Sequence, residues 1–128
     1  MKATYLMIGD KVMVKVLSQI PDTYVLHTWT ANDYSRDIQV KPIPLTAEIL
    51  EKDGWERDID KEWEYNNSHI LPHYCYQWEK RNVKIEMYSG LEGFTISLII
   101  GRRFYAVHEL QHVLRLYGLD ELADNFKV

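Results

Sequence analysis

The chain has 128 residues, of which 46% are hydrophobic and 27% are charged. These values are ordinary for one globular domain and argue against a disordered chain. Fifteen basic residues stand against nineteen acidic ones, which gives a formal net charge of −4. Because DNA-binding surfaces need clustered lysine and arginine, this balance argues against a broad nucleic-acid-binding surface.

The cysteine content and the hydropathy pattern predict the setting of the protein. The single cysteine, Cys75, cannot form an internal disulfide, and the chain has no cysteine-spaced zinc motif. We therefore expect a cytoplasmic protein without a cofactor. The longest apolar run, residues 96–100, is far shorter than the roughly 20 residues of a membrane-spanning helix. The apolar patch at residues 5–8 is too short for a signal peptide, so we expect no membrane contact.

The first segments predict a small antiparallel β unit. Residues 10–17 alternate, with valine at every second position, as in a half-buried strand. Residues 24–29 and 37–40 are two further strand candidates, and a turn at Asn32-Asp33 separates them. Three short strands with tight turns predict a small barrel-like unit.

A short helix follows this unit. Pro42 and Pro44 end the sheet, because proline cannot donate a hydrogen bond to a strand ladder. Thr46 is a good N-cap for a helix over residues 47–53. Gly54 is placed to end that helix.

A dense acidic stretch comes next. Paired carboxylates can do acid–base chemistry or bind a hard cation, but their spacing here does not match an EF-hand loop. We interpret the stretch as a solvated acidic face. Its members are Asp53, Glu56, Asp58, Asp60, Glu62 and Glu64.

The second half predicts another antiparallel meander, with strands near residues 74–80, 83–88 and 94–100. A helix follows from about Tyr105 to Tyr117, and we expect it to pack on this meander. The fold class is therefore α+β: an N-terminal small antiparallel β-barrel-like unit, a short helix, a second antiparallel meander and a C-terminal helix. We expect a single domain over residues 1–128, which could divide into lobes 1–55 and 56–128.

The C-terminal helix carries the sequence HELQH, from His108 to His112. Histidines four residues apart share one helix face and can hold one zinc ion. Glu109 could then take a proton from the metal-bound water. The motif makes the chain a candidate small zinc-dependent hydrolase, with His108 and His112 as metal ligands and Glu109 as catalytic base.

Several features of the sequence argue against this hydrolase. A catalytic zinc needs a third protein ligand, and only sixteen residues follow His112. His69 and His73 flank a proline and would lie roughly 13 Å apart in an extended chain. Helical phase also places the polar residues of the helix opposite its apolar half, which predicts a solvated face; these residues are His108, Gln111, His112 and Arg115.

Three groups of residues resemble a known family. They are Ile8-Gly9-Asp10-Lys11-Val12, then Pro42-Ile43-Pro44-Leu45-Thr46 with Gly54-Trp55, and last Val107-His108 with Leu110-Gln111. In these motifs the chain resembles a family of small uncharacterised proteins abundant in gut Bacteroidetes, often in phages and mobile elements. The family has asparagine at the position of His112, and the position of Glu109 varies. The resemblance therefore implies that HELQH is a chance pattern on a structural helix, and it implies no activity.

We expect a non-enzymatic accessory or binding protein of a mobile element or phage. Small barrels often bind through loop aromatics, so Trp29 and Tyr34 are the candidate binding residues. The competing interpretation is that Trp29 lies in the core and Tyr34 covers a turn. The acidic balance favours a protein partner over nucleic acid. The zinc-dependent hydrolase is the alternative function, and a nucleic-acid-binding module is the third.

Overall fold

The structure of the chain is a computed structural model. It describes residues 5–17, 21–59, 62–63, 72–77, 84–88, 95–96 and 104–128. Helices and antiparallel strands mix in this part of the chain, so the predicted α+β class is confirmed.

The chain divides into two compact units. The first comprises Met1–Pro44 and Ala106–Phe126, and the second comprises Leu45–Tyr105 and Lys127–Val128. The C-terminal helices therefore belong with the N-terminal strands. We expected the C-terminal helix to pack on the second meander; within the first unit, polar side chains of that helix bond to the loop before the first strand.

The first unit contains a three-stranded antiparallel sheet. Its strands are β1 (Lys11–Val16), β2 (Thr23–Thr28) and β3 (Val40–Lys41), in the order β2-β1-β3. Val14 lies opposite Val25 on one side and Val40 on the other. Val12 is buried and Val14 packs against the same cluster, so these two valines face the core. The buried cluster on this face consists of Leu6, Val12, Trp29 and Val40.

A 3-10 helix, Ala31–Ser35, connects β2 to β3 at the predicted turn. The Asp33 carboxylate accepts hydrogen bonds from the backbone N–H and the hydroxyl of Thr30, at 2.7 and 2.9 Å. The first of these bonds satisfies a backbone donor that the start of a helix otherwise leaves free.

The short helix of the second unit, α1 (Ala47–Asp53), has the predicted bounds. The Thr46 hydroxyl accepts a hydrogen bond from the backbone N–H of Ile49 at 3.2 Å, so Thr46 is the N-cap. Gly54 has a φ of 103°, a left-handed conformation that suits glycine, and it ends the helix as predicted.

The second unit also contains a four-stranded antiparallel sheet in the order β4-β5-β6-β7. These strands are β4 (Glu56–Arg57), β5 (Pro72–Gln77), β6 (Lys84–Tyr88) and β7 (Thr95–Ile96). The predicted meander is confirmed where it is described; its positions 78–80, 83, 94 and 97–100 lie outside the described residues. β4 was not predicted, because it is only two residues long and lies in the acidic stretch.

Two members of the acidic stretch are buried, so the predicted solvated face is wrong for Asp53 and Glu62. Asp53 accepts hydrogen bonds from Trp55 Nε1 at 3.0 Å and from the Lys127 backbone N–H at 2.6 Å. Burial raises the pKa of Asp53 to about 6, although these two bonds oppose the shift. Glu62 forms an ion pair with Arg57 at 3.1 Å. Asp60 and Glu64 lie outside the described residues.

Two helices close the first unit, α2 (Val107–Leu116) and α3 (Asp120–Asp124). The Leu119 backbone N–H donates to the Leu114 carbonyl at 2.9 Å, and Gly118 has a φ of 74°. This is the glycine-based ending that the sequence predicts. No helix among the described residues is long and apolar enough to cross a bilayer.

Candidate functional site

The polar face of α2 is buried or half-buried in the first unit, so the predicted solvated face is wrong. His108 and Gln111 are buried, and His112 and Arg115 are half-buried. The loop before β1 supplies hydrogen-bonding partners for three of these side chains. By contrast Leu116, which helical phase places on the apolar half, is exposed.

Gln111 joins three parts of the first unit. Its side-chain oxygen accepts a hydrogen bond from the Lys11 backbone N–H at 2.8 Å. Its Nε2 donates to the carbonyl oxygens of Gly9 and Ala123, each at 2.9 Å. The Gln111 side chain is itself buried, and these bonds satisfy both its own polar atoms and backbone groups of the loop and of the last helix.

Asp10 is the charged centre of the same contact, and its side chain is 0% exposed. It accepts hydrogen bonds from His112 Nε2 at 2.6 Å, Arg115 Nη1 at 2.7 Å and the Met7 backbone N–H at 2.8 Å. Burial opposes ionisation of the carboxyl, but these bonds outweigh it and hold the pKa of Asp10 below its usual range. We call Asp10, Gln111, His112 and Arg115 the Asp10 cluster.

The backbone around the cluster leaves little space. Gly9 has a φ of 94°, and a Cβ atom built there would lie 2.8 Å from Asp124 Oδ1 and 3.0 Å from Arg115 Nη2. Arg115 also donates to Asp124 at 3.1 Å, so one guanidinium bridges the β1 loop and α3. The left-handed φ favours glycine at position 9, because L side chains rarely adopt it, whereas the two close atoms are the ends of side chains that can shift.

His108 differs from His112 in its bonding. Its Nδ1 atom is buried and has no hydrogen-bond partner among the described residues. Burial lowers the pKa of His108; Asp10 and Glu109 oppose this effect, and His112 adds to it. The two imidazole rings lie 5.6 Å apart, edge to face.

Glu109 lies at the start of α2. Its Oε1 accepts a hydrogen bond from the Ala106 backbone N–H at 3.0 Å. This is the return bond of a capping box, in which a side chain at the third helical position bonds the N-cap backbone. The contact gives Glu109 a structural role in starting the helix.

The positions of the HELQH side chains determine whether the motif could hold a metal ion. Among the residues that the structure describes, no group of three His, Cys, Asp or Glu side chains is placed to hold a metal ion. The Nε2 atom of His112, one of its two possible zinc-binding nitrogens, is hydrogen-bonded to Asp10. His69 and the side chain of His73 lie outside the described residues.

The two aromatic residues that the sequence suggested for binding have different positions. Trp29 is 0% exposed and belongs to the core, so it cannot contribute to a binding surface. Tyr34 is exposed, lies edge to face with Trp29 at 5.7 Å, and donates its hydroxyl hydrogen to the Leu6 carbonyl. The pattern of aromatic residues near a turn does not distinguish these two roles.

A cleft of about 700 Å³ opens in the first unit, beside β1 and the segment that follows the 3-10 helix. Val14, Leu17 and Ile38 supply its apolar lining. The side chains of His27 and Asp33 are hydrogen-bonded in its wall, with His27 Nε2 lying 2.7 Å from Asp33 Oδ2.

Burial opposes ionisation of Asp33 in the cleft wall, yet the hydrogen bonds from His27 and Thr30 outweigh it and lower the pKa of this carboxyl. The wall is therefore held in one arrangement by paired groups. Arg36 and Asp37 also line the cleft, and neither side chain has a bonding partner among the described residues.

Sequence reasoning missed the Asp10 cluster and the cleft. A signal for the cluster was present: Gln111 is an amide four positions before a cation on a helix, and Asp10 follows a glycine directly before a strand. The cleft has no sequence signal, because its lining comes from separate segments.

Comparison of the chain with protein-family models, with curated proteins and with solved structures finds no match.

Proposed function

We propose that the chain is a non-enzymatic accessory protein of a mobile element or phage, acting in the cytoplasm, that binds a protein partner through the cleft of its first unit. The setting rests on the family resemblance of the motifs around Asp10, Thr46 and His108. The barrel-like form of the N-terminal unit is part of this proposal. The observation that carries the binding function is the apolar cleft itself.

The floor of the cleft continues the hydrophobic core. Val14 and Ile38 pack against the buried cluster that contains Val12 and Trp29, and both also line the cleft. An apolar side chain that entered the cleft would therefore extend an existing core, and its burial would be favourable. Leu17, which is 77% exposed, would be covered by the same ligand.

The charges of the cleft define the partner further. Lys15 is paired with Asp22 at 3.1 Å and His27 is paired with Asp33, so these groups need no ligand. Arg36 and Asp37 are unpaired among the described residues and are opposite in charge. The partner is therefore a short segment with a central apolar side chain, flanked by one acidic and one basic group.

A peptide library selected on the purified chain tests this proposal. Selected peptides should carry the apolar centre, and Leu17→Lys should weaken their binding about tenfold or more. Leu116→Lys is the matched control, because Leu116 is 72% exposed and does not line the cleft. Peptides that bind Leu17→Lys as tightly as the original chain would place the binding site elsewhere and overturn the proposal.

The alternative function, a zinc-dependent hydrolase, draws support from one observation. His108 Nδ1 has no hydrogen-bond partner in the described part of the chain and lies beside His112, which contacts the Asp10 carboxylate. Mass spectrometry of protein made without a histidine tag, after exposure to limiting zinc, tests this function. Stoichiometric zinc that is lost in His112→Ala would favour the hydrolase, and protein without bound zinc would exclude it.

A further inference from the structure

The outer edge of β2 has backbone groups that are free to pair with another strand. β2 lies at the end of the strand order β2-β1-β3, and no strand in the described part of the chain pairs with its outer side. The Lys15 N–H donates to the Gln39 carbonyl on the β3 side, so the alternate residues of β1, which include Val14, face β2 instead. Val14 lies opposite Val25. The other residues of β2 therefore point their N–H and C=O groups to the free edge; they are Tyr24, Leu26 and Thr28.

The side chains of these same three residues lie on the outward face of the sheet. Val12 is buried in the core cluster, so its neighbours in β1, Lys11 and Met13, point to the opposite face. The register places Thr28 opposite Lys11, and Leu26 opposite Met13. A strand added to the free edge would therefore place every second side chain on this outward face, directly beside the three residues of β2.

Two lysines of the neighbouring strands place their ammonium groups over β2. Lys11 Nζ donates to the Thr28 hydroxyl at 2.6 Å, and Lys41 Nζ lies 4.0 Å from the centre of the Tyr24 ring. Leu26, which is 49% exposed, lies midway between Tyr24 and Thr28. Neither lysine has an ion-pair partner among the described residues, and the three strands of this sheet contain no carboxylate. Two positive groups, roughly 13 Å apart along β2, therefore flank an apolar side chain.

This pattern of charge distinguishes between the possible occupants of the edge. Antiparallel pairing of two β2 strands would bring the Lys11 and Lys41 ammonium groups of two copies together, which is destabilising. Single-stranded nucleic acid needs aromatic rings on which successive bases stack. Tyr24 is half-buried, and Lys41 covers one face of its ring. An acidic strand avoids both conflicts, because its carboxylates gain a partner at each lysine.

From these groups we infer that the free edge of β2 binds an extended acidic segment of a protein partner as an added antiparallel strand. The segment carries two carboxylates four positions apart, beside Tyr24 and Thr28, and an apolar side chain midway between them, beside Leu26. Backbone hydrogen bonds supply affinity, and the two lysines select the sequence. The inference does not rest on the cleft, since neither Lys11 nor Lys41 lines it.

Isothermal titration calorimetry with a short synthetic peptide, whose core is Glu-Thr-Val-Thr-Glu, tests this inference. We expect the peptide to bind the purified chain. The double variant Lys11→Gln and Lys41→Gln should raise the dissociation constant about tenfold, because both ion pairs with the peptide are lost. Lys52→Gln, an exposed change of the same kind on α1, should leave the binding unchanged. Failure of the peptide to bind, or equal binding to the double variant, would overturn the inference.

Two further probes separate an added strand from other contacts with the lysines. A peptide methylated on the backbone nitrogens of its two Glu and its Val keeps both carboxylates but cannot donate hydrogen bonds to the edge, so its binding should be lost. Retained binding would contradict the added strand. A single-stranded oligothymidylate tests for nucleic acid: tighter binding than that of the peptide, weakened in the double variant, would assign the surface to nucleic acid and overturn the inference.

Discussion

The Nε2 atom of His112 lies 2.6 Å from Oδ2 of Asp10, although the two residues are separated by 102 positions in the sequence. This contact joins the loop before β1 to α2 within the first unit. It also uses one of the two histidine nitrogens that could bind a zinc ion. The same Asp10 carboxylate holds Arg115, so the motif residue that resembles a metal ligand is part of a charged structural cluster.

The first prediction concerns the pH dependence of stability. The folded protein lowers the pKa of Asp10, so its contribution to the free energy of unfolding is complete above the unfolded pKa, near 4. That contribution is lost as the pH falls through the lower, folded value. Asp10→Asn should therefore destabilise the protein by about 2 kcal/mol or more at neutral pH, and by much less in acid.

Urea unfolding at neutral pH and at about pH 3 measures this difference. Asp22→Asn is the control, since Asp22 forms an exposed ion pair with Lys15. A stability loss for Asp10→Asn that is the same at both pH values would show that the carboxylate charge does not hold the cluster.

The second prediction concerns Gln111. Gln111→Leu preserves side-chain size but leaves the Lys11 N–H and the Gly9 carbonyl without this partner. It also removes one of the bonds to the Ala123 carbonyl, which keeps the Phe126 backbone N–H as a donor. Each unsatisfied buried group costs about 1–3 kcal/mol, so we expect a loss of roughly 3 kcal/mol in the free energy of unfolding. Gln39→Leu, at an exposed position, should cost little by the same denaturation measurement. Equal losses in the two variants would contradict the bridging role of Gln111.

The local elements were predictable because their signals are local. Thr46 and Gly54 set both ends of α1 through backbone chemistry within a few residues, and the alternating valines of β1 fixed its buried face. The buried polar face of α2 was not predictable in the same way. Helical phase separates polar from apolar residues, but it does not reveal that a distant loop, residues 9–11, hydrogen-bonds to the polar side.

The amino-acid composition likewise did not reveal which charged residues are buried. Asp53 belongs to a dense acidic run, which in general indicates solvent exposure, yet its partners are Trp55 and the distant Lys127 backbone. The cleft of the first unit depends on tertiary packing of β1 with residues 36–39, so only the structure reveals it.

The third prediction concerns the capping contact of Glu109 at the start of α2. Glu109→Ala removes the acceptor for the Ala106 N–H and should cost about 1 kcal/mol of stability. Glu109→Gln keeps an acceptor oxygen and should cost less. Thermal unfolding measures both changes, with Glu51→Gln on α1 as an exposed control. If Glu109→Gln is as unstable as Glu109→Ala, the neutral amide does not replace the capping contact.

The fourth prediction separates the two aromatic residues. Trp29→Ala should lower the free energy of unfolding by about 3–5 kcal/mol, because Trp29 is fully buried in the core cluster. Tyr34→Phe removes only the hydroxyl that donates to the Leu6 carbonyl, and should cost about 1 kcal/mol. Chemical denaturation measures both. A nearly neutral Trp29→Ala would be incompatible with its position in the core.

The last prediction concerns Asp53, whose pH dependence has the opposite sign to that of Asp10. Burial raises its folded pKa to about 6, so the folded state holds this proton more tightly than the unfolded state does. Its stabilising contribution is present below the unfolded pKa, near 4, and is lost as the pH rises through about 6. The raised pKa corresponds to roughly 3 kcal/mol between these limits.

Asp53→Asn removes the titrating group while keeping one acceptor oxygen for Trp55 or the Lys127 backbone. We therefore expect the original chain to lose stability relative to Asp53→Asn between about pH 4.5 and about pH 7.5, as measured by urea unfolding at each pH. Glu51→Gln, an exposed change on the same helix, should show no such difference. A relative stability that stays constant over this range would mean that Asp53 ionises in the folded protein as easily as in the unfolded chain.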